Sequence, residues 1–205
     1  MANIKIASGC NFLGYYVFHG GSNPKGKLGV SLNESQVSKI SYDYQAALGE
    51  FGQIRESYQR LKSIHYFCQS FGQTLCKLKT MLPINAGDIV PKDLETLRYA
   101  VRTDGEKGYV FINNFQDHEC MKPKQNESIT VITKDKIIEF KDIGLANEEN
   151  CILPFEMDLD GCKLEWASLQ PVTVLQLEKK NIYVFLKPDG MEKPQFCFED
   201  SILTS

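Results

Sequence analysis

The fold of this chain is decided by the stretch Cys10-Asn-Phe-Leu-Gly-Tyr-Tyr-Val-Phe-His-Gly-Gly-Ser-Asn23, followed by a loop with Gly and Lys and then by Ser41-Tyr-Asp-Tyr44. Residues 13–18 are an almost wholly apolar run. Such a run is typical of a strand buried on both faces, in a parallel sheet that helices cover. The double glycine after it allows a sharp turn and a close approach of a ligand or another backbone. We therefore expect a buried strand followed by a loop at the carboxyl end of a barrel strand.

An amphipathic helix is predicted over residues 53–69. Its apolar positions recur at steps of three and four residues, at Ile54, Tyr58, Leu61, Ile64 and Cys68. That spacing places them on one face of a helix. Phe71-Gly72-Gln73 is expected to end the helix, and the Pro and Gly residues of 75–91 predict a connecting segment with a domain boundary near Leu75.

Short runs rich in β-branched and aromatic residues follow this connection, divided by turn signals. The nine predicted strands are 97–102, 108–113, 128–132, 137–140, 151–154, 164–167, 173–177, 182–186 and 196–198. Thr103-Asp-Gly-Glu-Lys-Gly108 and Glu178-Lys-Lys-Asn181 are predicted hairpin connections. The spacing indicates an antiparallel β-sandwich or jelly-roll-like domain over residues 76–205, after a mixed α/β domain over residues 1–75.

Composition and charge exclude several classes of protein. The chain has 205 residues, 42% hydrophobic residues and a net charge of −3, with a pI near 5.7. We therefore expect no nucleic-acid partner and no membrane association. The seven scattered cysteines form no Cys-x-x-Cys pair, which predicts reduced thiols. With no visible signal peptide, this predicts a cytoplasmic location, although a secreted parent protein stays open. No sequence motif for a metal or a cofactor is present.

Aromatic residues crowd the two glycine-rich turns of the first forty-odd residues. Tyrosine offers a sugar both an apolar face and a hydroxyl that hydrogen-bonds, which makes Tyr15, Tyr16, Tyr42 and Tyr44 candidates for sugar contacts. Tyr15 and Tyr16 have a simpler interpretation, in which they fill the two faces of the predicted strand. For Trp166, core packing is expected, with a sugar-stacking platform as the alternative.

Two motifs resemble the glycoside hydrolase family 35 β-galactosidases. Gly14-Tyr-Tyr-Val-Phe-His-Gly-Gly-Ser-Asn23 and Ser41-Tyr-Asp-Tyr-Gln-Ala-Ala-Leu-Gly-Glu-Phe-Gly-Gln53 are similar to the family's Phe-His-Gly-Gly-Thr-Asn-like and Ser-Tyr-Asp-Tyr-Asp-Ala-Pro-Leu-like motifs. Ser22, Gln45 and Ala47 depart from that pattern, and Pro24-Lys25-Gly26 replaces aromatic residues. Gly108-Tyr-Val-Phe-Ile-Asn-Asn-Phe115 looks like part of the family's β domains. The resemblance implies that residues 1–75 hold the last strand and helix of a (β/α)₈ barrel.

The resemblance also implies an activity and a set of binding residues. The family hydrolyses terminal β-galactosides with retention, using two glutamates about 5–5.5 Å apart. These glutamates lie on earlier barrel strands, so we expect a chain without catalytic residues that is inactive alone. The motifs carry over Tyr44 as a substrate-binding residue beside the galactose subsite, Tyr42 as support for it, and His19 and Asn23 as residues that shape the pocket floor.

The sequence leaves three hypotheses open. The first is a carboxyl-terminal fragment of a β-galactosidase-like hydrolase whose partner is a galactoside or another carbohydrate. The second is a stand-alone carbohydrate-binding or interaction β-sandwich module. The third is that the chain pairs with a separately encoded barrel or associates with itself, because an apolar strand without neighbours would expose its surface.

Overall fold

The computed structural model describes residues 1–27, 32–34, 37–199 and 201–204. The chain divides into two compact units: a larger unit of Met1–Asn11 with Tyr66–Ser205, and a smaller unit of Phe12–His65. The predicted domain boundary between residues 75 and 76 stays a prediction.

The chain is mostly β, with two α-helices. In chain order the described elements are α1 (Ala2–Ala7), β1 (Gly21–Ser22), β2 (Asn33–Glu34), β3 (Val37–Ser38), β4 (Ser41–Tyr42), α2 (Glu56–Leu75), β5 (Lys79–Met81), a 3-10 helix (Ile84–Asp88), β6 (Arg98–Thr103), β7 (Gly108–Asn113), β8 (Lys124–Ile132), β9 (Ile137–Leu145), β10 (Asn150–Leu159), β11 (Cys162–Ala167), β12 (Gln170–Leu177), β13 (Lys180–Leu186), β14 (Gln195–Phe198) and β15 (Ser201–Thr204). No described helix has the length and apolar content that a membrane crossing requires.

The larger unit is built on a seven-stranded sheet. Its strand order is β15-β14-β11-β10-β7-β6-β5, and β8–β9 and β12–β13 form two further hairpins. Every pairing between named strands is antiparallel. The predicted antiparallel β architecture is therefore confirmed.

One face of the sheet packs against the β8–β9 hairpin. Side chains at alternate positions of β7 and β10 point to this face, because successive residues of a strand alternate between faces. The buried members of this core are Leu97, Val101, Val110, Ile112, Ile129, Val131, Ile138, Phe140, Ile143, Leu145, Cys151, Leu153, Phe155 and Met191. Each large apolar side chain contributes about 1.5–3 kcal/mol by its burial. Trp166 packs against the same core, with its ring centroid 5.6 Å from that of Phe140.

The part of α2 that belongs to the larger unit covers other residues of β7. The ring of Phe67 lies edge-on to Tyr109 and Phe111, with centroids at 5.1 and 6.3 Å. Residues 108–112 are therefore all buried. A strand covered on both sides reads as a continuous apolar run, which explains why Gly-Tyr-Val-Phe-Ile shows no alternation.

Arg102 on β6 ties the ends of both helices to the sheet. It is 1% exposed, and its guanidinium donates to the carbonyl oxygens of Ile6, Leu75 and Leu78 at 2.8, 2.9 and 2.9 Å. It also donates to Asn11 Oδ1 at 3.0 Å. Ile6 and Leu75 lie in the last turns of α1 and α2, where carbonyl groups lack helical partners and carry partial negative charge. Burial lowers the pKa of Arg102, but arginine stays protonated at neutral pH.

The smaller unit contains little regular structure outside the first part of α2. Its two-stranded pairings are β1 with β4 and β2 with β3. Tyr15 Oη hydrogen-bonds His65 Nε2 at 2.8 Å, and the rings of Phe18 and Tyr58 lie 6.0 Å apart. Aromatic contacts thus join the segment after Phe12 to the start of the helix within this unit.

The strand predicted over residues 13–18 is wrong. These residues form no strand, and Tyr16 is 84% exposed. A strand needs a neighbour to pair its backbone N–H and C=O groups. Within the described residues the local pairing is one parallel bridge, between His19 and Leu48, with the Phe18 carbonyl accepting from the Leu48 amide at 3.0 Å.

The predicted end of the helix at Phe71-Gly72-Gln73 is also wrong, since α2 continues to Leu75. Phe71 and Leu75 are 8% and 3% exposed, and their burial outweighs the cost of about 1 kcal/mol for a helical glycine. The nine predicted strands are all present, within β6 to β14. Both predicted hairpins are confirmed, although β5 lies in the segment that we expected to be a plain connection.

Replacing Arg102 is expected to destabilise the larger unit strongly. Arg102→Met removes charge-assisted hydrogen bonds to the carbonyls of Ile6, Leu75 and Leu78, of which Ile6 and Leu75 keep a backbone donor. Each hydrogen bond to a charged group contributes about 1.5–3 kcal/mol. We expect the free energy of unfolding in urea to fall by about 3 kcal/mol or more. Arg102→Lys should also destabilise the protein, because a single ammonium cannot replace the planar fork of donors.

Lys134→Met is the matched control for the loss of a positive charge. Lys134 forms an ion pair with Glu106 in which both side chains are 63% exposed, and surface pairs contribute little. We expect its unfolding midpoint to equal that of the unchanged protein. Equal midpoints for Arg102→Met and Lys134→Met would contradict the role given to Arg102.

Candidate functional site

The pairing of β1 with β4 brings the two glycine-rich turns together. Gly21 is the partner of Tyr42, and Ser22 is the partner of Ser41. Gly20 lies so close to the second turn that a Cβ atom there would be 2.8 Å from the Glu50 backbone nitrogen. The backbones could not approach in this way with a larger residue, which explains the first glycine of the His-Gly-Gly motif.

Asp43 organises the second turn. Its carboxylate accepts hydrogen bonds from the backbone amides of Glu50 at 2.7 Å and Gln45 at 3.1 Å. Arg55 donates to the same carboxylate at 2.8 Å and to the Ala46 carbonyl at 2.6 Å. The Glu50 amide, the Gln45 amide and the Arg55 charge lower the pKa of Asp43. Asp43 is therefore ionised at neutral pH and holds the turn in place.

Glu50 is bound by both motifs. Its carboxylate accepts hydrogen bonds from the hydroxyls of Ser22 and Ser41, the latter at 2.5 Å. The serine at position 22 thus supplies a hydroxyl to Glu50. The arrangement gives Glu50 a structural role in joining the two turns.

Three tyrosines form an exposed cluster beside these turns, which we call the tyrosine cluster (Tyr16, Tyr42 and Tyr44). Tyr16 and Tyr42 are hydrogen-bonded through their hydroxyls, and the rings of Tyr42 and Tyr44 pack edge to face with centroids 4.7 Å apart. Lys39 Nζ donates to Tyr44 Oη at 2.5 Å and lies 4.4 Å from the centre of the Tyr44 ring. Tyr44 is 48% exposed. The cluster offers aromatic faces and hydroxyl groups to a ligand in solvent.

The backbone at Tyr44 and Gln45 has positive φ, 45° and 52°. Residues with large side chains rarely occupy this region, and the cost is of the order of 1–3 kcal/mol per residue. The hydrogen bonds of Asp43 on either side of the turn hold this conformation. Strained residues of this kind concentrate at ligand-binding positions.

His19 and Asn23 lie on the first turn and serve its backbone. His19 Nδ1 hydrogen-bonds the Gly20 carbonyl. Asn23 donates through Nδ2 to the Lys39 carbonyl at 2.9 Å, and its amide donates to the Ile40 carbonyl at 2.7 Å. Asn23 therefore positions the segment that carries Lys39, and Lys39 in turn donates a hydrogen bond to Tyr44.

The structure brings Tyr42 and Tyr44 together as neighbours. The sequence motifs did not predict the roles of Lys39, Asp43 and Glu50. Asp43 stands between the two tyrosines of the Ser-Tyr-Asp-Tyr motif, and that position was the available signal. Among the described residues, no group of three or more His, Cys, Asp or Glu side chains is arranged to hold a metal ion.

Asp43→Asn is expected to loosen the second turn and to make the stability of that turn insensitive to acid. Because the fold lowers the pKa of Asp43, its contribution to stability is complete at pH values above the unfolded-state pKa of about 3.9. That contribution is lost as the pH falls through the pKa of the folded state. We expect the Glu50 amide of the unchanged protein to lose protection from hydrogen exchange below about pH 4. In Asp43→Asn that amide should exchange several-fold faster at pH 7, with little further change on acidification.

Glu56→Gln is the matched control within the same unit. Glu56 is 77% exposed and pairs with Arg60 one helical turn away. Its removal should leave exchange at Glu50 unchanged at both pH values, after correction for the intrinsic pH dependence of exchange. The role of Asp43 would be contradicted by equal protection of Glu50 in Asp43→Asn and in the unchanged protein.

The comparison with protein families matches the stretch that carries this site. Residues 3–68 match the family model described as glycosyl hydrolases family 35, and the match ends near the middle of α2. It includes both glycine-rich turns, the tyrosine cluster, Asp43 and Glu50. The resemblance that the two motifs predict is therefore confirmed for residues 3–68.

Proposed function

We propose that the smaller unit is the closing part of the catalytic barrel of a β-galactosidase and that the larger unit is its accessory β domain, of the sandwich or jelly-roll type. The observation that carries this proposal is the exposed tyrosine cluster on a segment that matches family 35. In the proposed enzyme, Tyr44 borders the subsite for the terminal galactose. Tyr42 supports Tyr44 through their edge-to-face contact.

Tyr44 is suited to a polar contact with the sugar or with a catalytic carboxylate. Its hydroxyl accepts from Lys39 Nζ, and a phenol hydroxyl can donate as well as accept. The positive charge near its oxygen favours donation to a carboxylate or a sugar oxygen. His19 and Asn23 act through the backbone of the first turn, whose shape they hold.

Hydrolysis with retention needs a proton donor and a nucleophile about 5–5.5 Å apart. Two carboxylates of the smaller unit have other partners: Asp43 is bound by Arg55 and two backbone amides, and Glu50 by two serine hydroxyls. An ionised, charge-paired Asp43 is a poor proton donor. We propose that this chain supplies binding groups and that the catalytic glutamates belong to other parts of the barrel.

The chain alone is expected to show no β-galactosidase activity. We would incubate the purified chain with a chromogenic β-galactoside and follow release of the chromophore over several hours. The expected rate equals that of buffer. Glu50→Gln serves as the control for traces of activity, because a rate that falls with this substitution would assign chemistry to Glu50. Turnover comparable to that of a complete family 35 enzyme would refute the proposal.

Tyr44 is expected to contribute to catalysis when the segment is placed in a whole barrel. We would replace the matching segment of an active family 35 β-galactosidase with residues 12–65 of this chain. In the chimera, Tyr44→Phe should lower kcat/KM about tenfold, because one hydrogen bond to a charged or reacting group contributes about 1.5 kcal/mol. The chimera's own kcat/KM is the reference.

Tyr58→Phe in the same chimera is the control. Tyr58 packs against Phe18 through its ring, so the loss of its hydroxyl should leave kcat/KM unchanged. An active chimera in which Tyr44→Phe has no more effect than Tyr58→Phe would remove Tyr44 from the proposed galactose subsite.

A further inference from the structure

We propose that the larger unit carries a separate binding site for a neutral saccharide, in a polar cleft between α2, the sheet and the β12–β13 hairpin. The cleft has a volume of 640 Å³, within the range of about 300–1,000 Å³ that is typical of small-ligand sites. Among its lining residues are Tyr66, Gln69, Tyr109, Gln176, Asn181 and Tyr183. All of them belong to the larger unit, so the cleft is distinct from the tyrosine cluster.

The walls of the cleft are held together before any ligand binds. Ser70 Oγ on α2 hydrogen-bonds Thr173 Oγ1 on β12 at 2.9 Å, and it also accepts from the Val174 amide at 3.3 Å. These bonds fix the helix against the hairpin. A preformed site of this kind is already ordered, so ligand binding carries a smaller entropy cost. The smaller cost favours affinity.

Aromatic and amide groups are paired along the hairpin wall. Asp160 accepts a hydrogen bond from Asn181 Nδ2 at 2.8 Å. Burial and a hydrogen bond to Asp160 raise the pKa of Tyr183. Asp160 therefore orients both an amide and a phenol at the cleft, and the Tyr66 ring, 42% exposed, lies on the helix wall. Rings of this kind can stack on the apolar face of a sugar.

Two side-chain amides of the cleft are left for a ligand. Gln69 and Gln176 are exposed, and neither side chain has a hydrogen-bond partner within the part of the chain that the structure describes. A primary amide both donates and accepts. Together with the carboxylate of Asp160 and the hydroxyls of the cleft, such groups match the mixed donors and acceptors of neighbouring sugar hydroxyls.

The charge of the cleft favours a neutral ligand over an acidic one. Asp158 and Asp160 line it together with Lys107. The Glu156 carboxylate is already paired with Lys163 at 2.6 Å. The remaining excess of carboxylate repels a carboxylated sugar, whereas neutral hydroxyls can donate to Asp158 and Asp160. We therefore assign the cleft to neutral oligosaccharides.

Calorimetric titration of the full chain tests this assignment. The probes are β-1,4-galactotriose and cellotriose, with galactose and galacturonic acid as a matched neutral and acidic pair. We expect saturable binding of at least one trisaccharide with one site per chain. Galacturonic acid should bind more weakly than galactose. Amide chemical shifts should move at residues 107–109 and 173–183 rather than at residues 41–45.

Substitutions of glutamine locate the binding site. Gln69→Ala combined with Gln176→Ala should weaken binding about tenfold, or about 1.4 kcal/mol, because hydrogen bonds from both amides to the sugar are lost. Gln73→Ala is the matched control: it lies one turn further along α2, is exposed and does not line the cleft. Gln73→Ala should leave the affinity unchanged.

Four results would overturn the proposal. They are no saturable heat with either trisaccharide, an unchanged affinity in the double glutamine variant, shift changes at residues 41–45 instead of 107–109 and 173–183, and equal binding of galactose and galacturonic acid. Shift changes at residues 41–45 would move the saccharide to the tyrosine cluster. None of these results affects the expected lack of hydrolysis, so the two proposals fail independently.

Discussion

The buried guanidinium of Arg102 is the interaction on which the larger unit depends. It is a full charge shielded from water, and its burial would raise the free energy of the fold if no hydrogen-bond acceptors surrounded it. The carbonyl groups at the ends of α1 and α2 provide those acceptors, through Ile6 and Leu75, together with Leu78 just beyond α2. One side chain thereby binds backbone groups from two separate parts of the chain. It joins Ile6 and Asn11 to the larger unit, together with the hydrogen bond from Asn3 Nδ2 to the Ile112 carbonyl.

The smaller unit uses a carboxylate in a comparable way. Asp43 collects donors from the backbone of its own turn and from Arg55, and this holds Tyr44 and Gln45 at positive φ. The strained turn presents Tyr44 at the surface next to Tyr42. The same bonds keep Asp43 ionised and engage both of its carboxylate oxygens as hydrogen-bond acceptors. A segment built in this way can position a sugar contact, but Asp43 and Glu50 stabilise the fold of the turns.

Much of the larger unit could be predicted because its signals are local. The Asp-Gly turn between residues 103 and 108 and the apolar runs on either side of it define the β6–β7 hairpin without knowledge of any other part of the chain. The run 13–18 is the opposite case. Its composition suits a buried strand, but strand formation requires a partner, and in the described residues the local pairing is one bridge at His19. Helix α2 passes Gly72 because the burial of Phe71 and Leu75 outweighs a local preference.

The sequence by itself determined the resemblance of the first third of the chain to family 35, the antiparallel β character of the rest and the tyrosines worth testing. These follow from motifs and periodicities that are read over a few neighbouring residues. Only the tertiary structure decided which residues meet across long separations: Arg102 with the helix ends, Glu50 with Ser22 and Ser41, and Ser70 with Thr173 beside the cleft. Such contacts depend on how the chain closes its loops and satisfies its buried polar groups, and no local pattern encodes that geometry.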